Sequence, residues 1–127
     1  MYVHEVEARF GLDLSEISND GGTEKRFDFV LTTGDMVYGI EVNFYGSGGS
    51  KLNETSRSYK LIAEEAELVD GFTFVWVTDG KGWRSARHNL QETFDSGCNV
   101  MNLTELEHGA FKAVHDGVAI EYFLGKM

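Results

Sequence analysis

Two carboxylates stand in neighbouring runs of β-forming residues. Asp28 lies in residues 26–33 and Glu41 in residues 36–45, with Asn43 two positions beyond Glu41. Both runs are rich in Phe, Val, Tyr or Thr. Gly34-Asp35 between them reads as a two-residue hairpin loop with glycine at its first central position. In that register Thr33 pairs with Met36, and counting outward sets Asp28 opposite Glu41. Directly paired residues point to one face with Cβ atoms about 4.5–5.5 Å apart, and residues two apart on a strand share a face. One patch therefore holds Asp28, Glu41 and Asn43. Opposed carboxylates repel in water, so an acidic pair on a solvated sheet face is a poor stabiliser. The pair suits a hard divalent cation such as Mg²⁺, which takes one or two carboxylates and completes its shell with water and phosphate oxygens. Such an ion polarises a phosphoryl group and lowers the pKa of an attacking water.

The elements that must position this patch follow from periodicity. Val3, Val6, Phe10 and Leu14 recur at helical spacing, which predicts a helix over 2–11 that ends at Gly11. Residues 18–24, with Asn19-Asp20-Gly21-Gly22, read as a turn. Residues 46–50, Gly-Ser-Gly-Gly-Ser, read as a flexible loop. A helix is expected over 53–69, with Leu52, Tyr59, Ile62, Ala66 and Val69 on one stripe and Gly71 as its stop. Residues 72–78 form a nearly continuous apolar run, expected of a strand buried on both faces. A turn over 79–82 leads to a short helix over 84–94 and a short strand over 99–103. Thr104 opens a last helix with Glu107 in the capping-box position. This order implies an α/β fold, a mixed β-sheet flanked by helices.

The chain has 127 residues, enough for a single domain, residues 1–127, with one core. No proline, low-complexity tract or repeat marks an internal boundary. No apolar stretch is long enough to span a bilayer, and the first residues lack the basic and apolar blocks of a secretory signal. Cys98 is the lone cysteine, which excludes an internal disulfide and fits a cytoplasmic location. A net charge of −10 argues against a protein that coats nucleic acid by bulk electrostatics. The basic residues are clustered, however: Lys25 with Arg26, then Lys51, Arg57 and Lys60, then Lys81, Arg84 and Arg87. A fold that gathers these on one side would separate them from the acids at 64–70 and 105–107.

Other motifs carry less. Gly46 to Lys51 sits between a strand and a helix as a phosphate loop would, but Walker A needs Gly directly before Lys and Ser or Thr after it. Ser50 and Leu52 stand there instead, so no nucleotide cofactor is expected. The loop is better suited to approach a nucleic-acid backbone with glycine amides and the Ser47 and Ser50 hydroxyls. His4, His88, His108 and His115 have no partner at metal-ligand spacing. Cys98 reads as a core residue. Trp76 falls in the buried strand, and Trp83, beside Lys81 and Arg84, reads as edge packing or a surface near DNA.

Several blocks, taken together, resemble the C-terminal part of the DpnII/MboI family of type II restriction endonucleases, within the PD-(D/E)XK superfamily. They are Lys25-Arg26-Phe27-Asp28-Phe29-Val30, Gly39-Ile40-Glu41-Val42-Asn43-Phe44-Tyr45, Gly48-Gly49-Ser50-Lys51-Leu52-Asn53-Glu54, Arg57-Ser58-Tyr59-Lys60, and Phe74 through Trp83. The resemblance runs from about residue 10 to about residue 110. It implies a restriction-endonuclease-like fold, double-stranded DNA cut at GATC-type sites, Mg²⁺ as cofactor and action as a homodimer. Asp28 then takes the Asp of the signature, with Phe27 at the weakly kept Pro. Glu41 takes the (D/E) position, and the Val42 backbone carbonyl is a further metal ligand. Asn43 stands where the pattern has Lys, so it can hydrogen-bond a water but brings no charge. Lys51 is the nearest candidate for that charge. Ser47, Ser50, Lys51, Asn53 and Arg57 are the expected DNA-backbone contacts, and Glu7 is a candidate extra acid. The family's members are longer and carry an N-terminal portion expected to add DNA contacts. The alternative is a catalytically inactive DNA-binding or dimerisation module derived from such a nuclease.

Overall fold

In a computed structural model of the chain, which describes residues 1–17 and 24–115, the hairpin forms in the expected register. Strand β1 (Phe29–Thr33) and strand β2 (Met36–Phe44) run antiparallel, with Thr33 opposite Met36 and Phe29 opposite Ile40. β1 starts three residues later than the β-forming run suggested. The chain bends at Asp28, and Phe27 turns into the core instead of extending the ladder.

Helix α1 (Val3–Phe10) precedes the hairpin and buries Val3 and Val6. Its start is tied to the hairpin's entry: Val3 N–H donates to Lys25 O at 3.0 Å and Phe27 N–H to Met1 O at 2.8 Å. Helix α2 (Ser50–Ala66) follows β2 and begins three residues before the expected start, so Lys51 lies on its first turn. Strand β3 (Phe72–Asp79) then runs parallel to β2 along its length. The expected helix over 84–94 is divided. A 3₁₀ turn (Lys81–Arg84) closes on the preceding strand, and helix α3 (Arg87–Asp95) follows it. Strand β4 (Asn99–Met101) is parallel to β3.

The last capping box sits two residues earlier than read. Asn102 caps helix α4 (Leu103–Glu107), accepting from Glu105 N–H at 2.7 Å while Glu105 accepts from Asn102 N–H at 3.0 Å. Helix α5 (Ala110–His115) ends the described chain. Of the turn expected over 18–24, residues 18–23 lie outside the described residues.

The sheet is mixed, in the order β1-β2-β3-β4, with helices on both faces: an α/β arrangement of the restriction-endonuclease-like kind. The larger core lies between the sheet and α1, α2 and α3. It includes Val6, Leu14, Phe27, Leu52, Ile62, Phe74, Trp76, Trp83 and Leu90. The smaller core lies on the other face, where Tyr38, Val75, Val77 and Met101 meet Phe111 and Val114 of α5. β3 feeds both cores by alternation, which accounts for its unbroken apolar run. Cys98 is buried in the larger core as expected, and burial pushes its thiol up to about 12. Trp83 is not a surface aromatic. It is fully buried, its indole N–H donates to Thr78 Oγ1 at 2.8 Å, and its ring meets Trp76 edge-on at 5.4 Å.

Two glycines shape the neighbourhood of the carboxylates. Gly39 faces the larger core, and a Cβ there would stand 2.7 Å from Phe72 Cζ and 2.9 Å from Phe27 Cε1. Gly80, at φ +118°, brings its backbone against the Tyr45 carbonyl, where a side chain would collide. The loop over 46–50 is thereby anchored at its entrance: Tyr45 N–H donates to Asp79 O and Gly82 N–H to Tyr45 O, both at 2.9 Å. Its residues are exposed, but its base is fixed.

Among the described residues, no helix is long and apolar enough to cross a membrane.

Candidate functional site

β2 places Glu41 and Asn43 on the face that carries the larger core, and β3 sets Trp76 beside Glu41 in register. Glu41 is 4% exposed. A carboxylate so deep needs a partner, because burial disfavours its charged form. Lys25 provides one. Its ammonium is ion-paired with Glu41 Oε1, and only 12% of the lysine side chain is exposed. The ammonium also lies 5.2 Å from the Tyr59 ring centroid and 5.7 Å from that of Phe27, within cation–π range. Burial pushes the Glu41 carboxyl up to about 7; its contact with Asp28 adds to that, and Lys25 opposes it. The single ammonium thus does not fully offset the loss of solvent.

Asp28 meets Glu41 from the bend before β1. Asp28 is among the groups that push the Glu41 carboxyl up, and its Oδ2 accepts from Val42 N–H at 2.9 Å. The ladder stops at Phe29 opposite Ile40, so Asp28 does not pair with Glu41 as a strand residue; a side-chain bond to Val42 holds it beside β2 instead. Asp28 is exposed and Glu41 buried, so the pair spans the boundary between solvent and core.

Asn43 is fixed on both ends of its amide. Its Oδ1 accepts from Trp76 Nε1–H at 2.9 Å, and Nδ2 approaches Tyr59 OH at 3.5 Å. Tyr59 packs edge-on against Trp76, centroids 4.9 Å apart. Burial, followed by the Glu41 charge, holds its hydroxyl well above its ordinary pKa. Tyr59 and Trp76 were legible as core residues; their role as the floor under the acids was not.

The structure does not gather all the sequence candidates. Glu7 accepts from Leu14 N–H at 2.9 Å and so fastens the end of α1. Lys51 and Arg57 are exposed on α2, Ser47 is exposed in the loop, and Ser50 is the first residue of α2. Asn53 and Arg57 are one turn apart and share a side of α2, whereas Lys51 lies around the helix from them. Asn53 Oδ1 accepts from Asn89 Nδ2, which turns it toward α3. The cation in contact with Glu41 is Lys25, which the sequence offered as half of a basic cluster with Arg26 and not as a site residue.

The donor set fits a divalent cation. Two carboxylates of different exposure stand at the same end of the hairpin, and burial raises the carboxyl of the inner one. No cluster of three or more His, Cys, Asp or Glu suited to a metal occurs among the described residues. A magnesium-type site does not require one, since it uses one or two carboxylates and keeps several waters.

Comparison with known proteins places the chain in context. The family described as DpnII restriction endonuclease matches residues 1–113. The type II restriction enzyme DpnII of Streptococcus pneumoniae is 53% identical over 109 residues, 86% of this chain and 38% of that protein. The type II restriction enzyme MboI of Moraxella bovis is 44% identical over 95 residues, covering 75% of this chain and 34% of that protein. MjaIII of Methanocaldococcus jannaschii is 39% identical over 95 residues, 72% of this chain and 33% of the relative. The matches thus span little more than a third of these relatives' length. No solved structure matches the chain.

Proposed function

This chain belongs to the DpnII restriction endonuclease family, and we propose that it carries the metal-binding, phosphodiester-hydrolysing part of a DNA endonuclease that acts on double-stranded DNA at GATC-type sites. The observation that carries this reading is the buried Glu41 carboxylate paired with Lys25, with Asp28 bonded to the next residue of the same strand. Asp28, Glu41 and the Val42 carbonyl would hold the cation, Mg²⁺ by the resemblance. A divalent ion there supplies charge stabilisation at the phosphate and makes nearby water a stronger nucleophile.

The chain's own residues do the rest. Water adds to phosphorus, one P–O ester bond breaks, and a phosphate end and a hydroxyl end result. Asn43, its oxygen held by Trp76 and one N–H directed at Tyr59, has one amide N–H left to orient water or a phosphate oxygen. Lys51, Ser47, Ser50 and Arg57 contact the DNA backbone from the anchored loop and the first turns of α2, with Asn53 buttressing α2 against α3. Two copies act together, one on each strand.

The test is plasmid nicking with and without Mg²⁺, read beside calorimetric Mg²⁺ titration. Metal-dependent nicking that Asp28→Ala abolishes is expected. Equal cutting by wild type and Asp28→Ala excludes this site as the chemical centre. The second reading, an inactive DNA-binding or dimerisation module, is favoured by one observation, the Lys25 ammonium already paired with Glu41. It predicts no Mg²⁺ binding and no cutting at any protein concentration.

A further inference from the structure

Lys25 poses a question that the proposed site does not answer. A lysine ammonium is a compact charge on a flexible four-carbon stem. Here it is drawn into a pocket between Phe27 and Tyr59 and against the most buried carboxylate of the site. The third position of the nuclease signature is Asn43, uncharged and bonded to Trp76 and Tyr59. Lys25 is ion-paired with Glu41, and it enters three residues before Asp28 along the same segment.

We propose that Lys25 is a built-in counter-ion of the Asp28–Glu41 pair, held on Glu41 until a divalent cation displaces it, and that its freed ammonium then supplies beside the phosphate the positive charge Asn43 lacks. This rests on the reading of Asp28 and Glu41 as metal ligands. The physical case is like-charge repulsion. An ammonium and a divalent ion crowded on one carboxylate repel each other, and the repulsion grows in a medium of low polarity. Glu41 left without either is a buried, unpaired charge, which is strongly destabilising. The two cations therefore compete for the ionised Glu41 carboxylate, and one exchanges for the other. The backbone at Lys25 and just after it is held, by Val3 N–H on the Lys25 carbonyl and by Phe27 N–H on Met1 O. The exchange is thus a swing of the side chain alone.

Two measurements on the full chain test the exchange. Acetylation of Lys25, followed by mass spectrometry, is slow in metal-free protein and rises about fivefold or more at saturating Mg²⁺ as the ammonium leaves Glu41. In calorimetry, Lys25→Met binds Mn²⁺ at least about tenfold more tightly than wild type, since the competing cation is gone. A third measurement tests delivery to the phosphate. With Ca²⁺ in place of Mg²⁺, the salt dependence of duplex binding by Lys25→Met is shallower than wild type by about one unit of slope.

Unchanged acetylation on adding Mg²⁺, or equal or weaker Mn²⁺ binding by Lys25→Met, overturns the exchange while leaving the metal site standing. An unchanged salt slope overturns delivery to the phosphate. Absence of metal binding in wild type overturns the site reading itself, and this inference with it. Should Lys25→Met fail to fold, the acetylation experiment on wild type decides alone.

Discussion

Two sides of one strand end make opposite use of the same four residues. From β2, Glu41 and Asn43 turn toward α2 and are covered by Tyr59 and Trp76. Val42 and Phe44 turn the other way and are 41% and 69% exposed. On that side Val42, Phe44, Val77 and Leu103 border a shallow cavity of about 310 Å³. The usual pattern is inverted: the polar residues are under cover and the apolar ones face water. Burial of polar groups is costly unless they are partnered, so the covered side is organised by bonds and ion pairs. The open side has no such demand. Polar burial against the energetic grain is a mark of function rather than of stability.

The sharpest way to break this comparison is to remove the floor of the covered side. Trp76 is fully buried and donates to Asn43. Trp76→Ala is expected to cost about 3–5 kcal/mol in urea denaturation. A loss under about 1 kcal/mol would mean that the covered side is not packed as described.

The next largest effect is a pH dependence. The folded-state pKa of Glu41 is raised from 4.5 to about 7. As pH rises above 4.5 the unfolded chain releases this proton first, so stability falls progressively until the folded carboxyl also ionises near pH 7. Metal-free protein followed by thermal unfolding from pH 4 to pH 8 should show this decline relative to a Glu41→Gln variant. A Glu41→Gln profile parallel to wild type through that window contradicts the assignment.

The smallest effect sharpens the contrast between neighbours. Asn43→Ala leaves the Trp76 N–H without its acceptor and should cost about 1–3 kcal/mol. Phe44→Ser, one residue along and facing water, should change stability by no more than about 0.5 kcal/mol. Comparable losses at 43 and 44 would erase the distinction between the two sides.

Much of this arrangement was legible before any coordinates. Gly34-Asp35 and the flanking β-formers fixed the hairpin register, and strand alternation put Glu41 with Asn43. The continuous apolar run over β3 announced a strand with two buried faces. What was not legible has a common cause. Lys25 reaches Glu41 through its side chain across a bend, and neither periodicity nor spacing encodes a side-chain reach. Lys51 looked nearer because it is close in sequence and was assigned to a loop. Helix α2 instead begins at Ser50, despite the glycines before it, and sets Lys51 on its first turn, exposed. The helix read over 84–94 was broken because Trp83 turns inward to Thr78, a tertiary demand that local propensity does not register.

The missing side chain at Gly39 has a consequence beyond packing. Phe27 fills the space that a methyl at position 39 would claim, and its ring is wedged against Phe72 and Phe74. Lys25 and Asp28 flank Phe27 in the chain and hang from it like two arms of a bracket. The aromatic ring therefore acts as a tenon and the bare backbone of β2 as its mortise. An alanine in the mortise would move both arms at once, so the relative placement of the ammonium and the outer carboxylate is set by the fit of one hydrophobic joint.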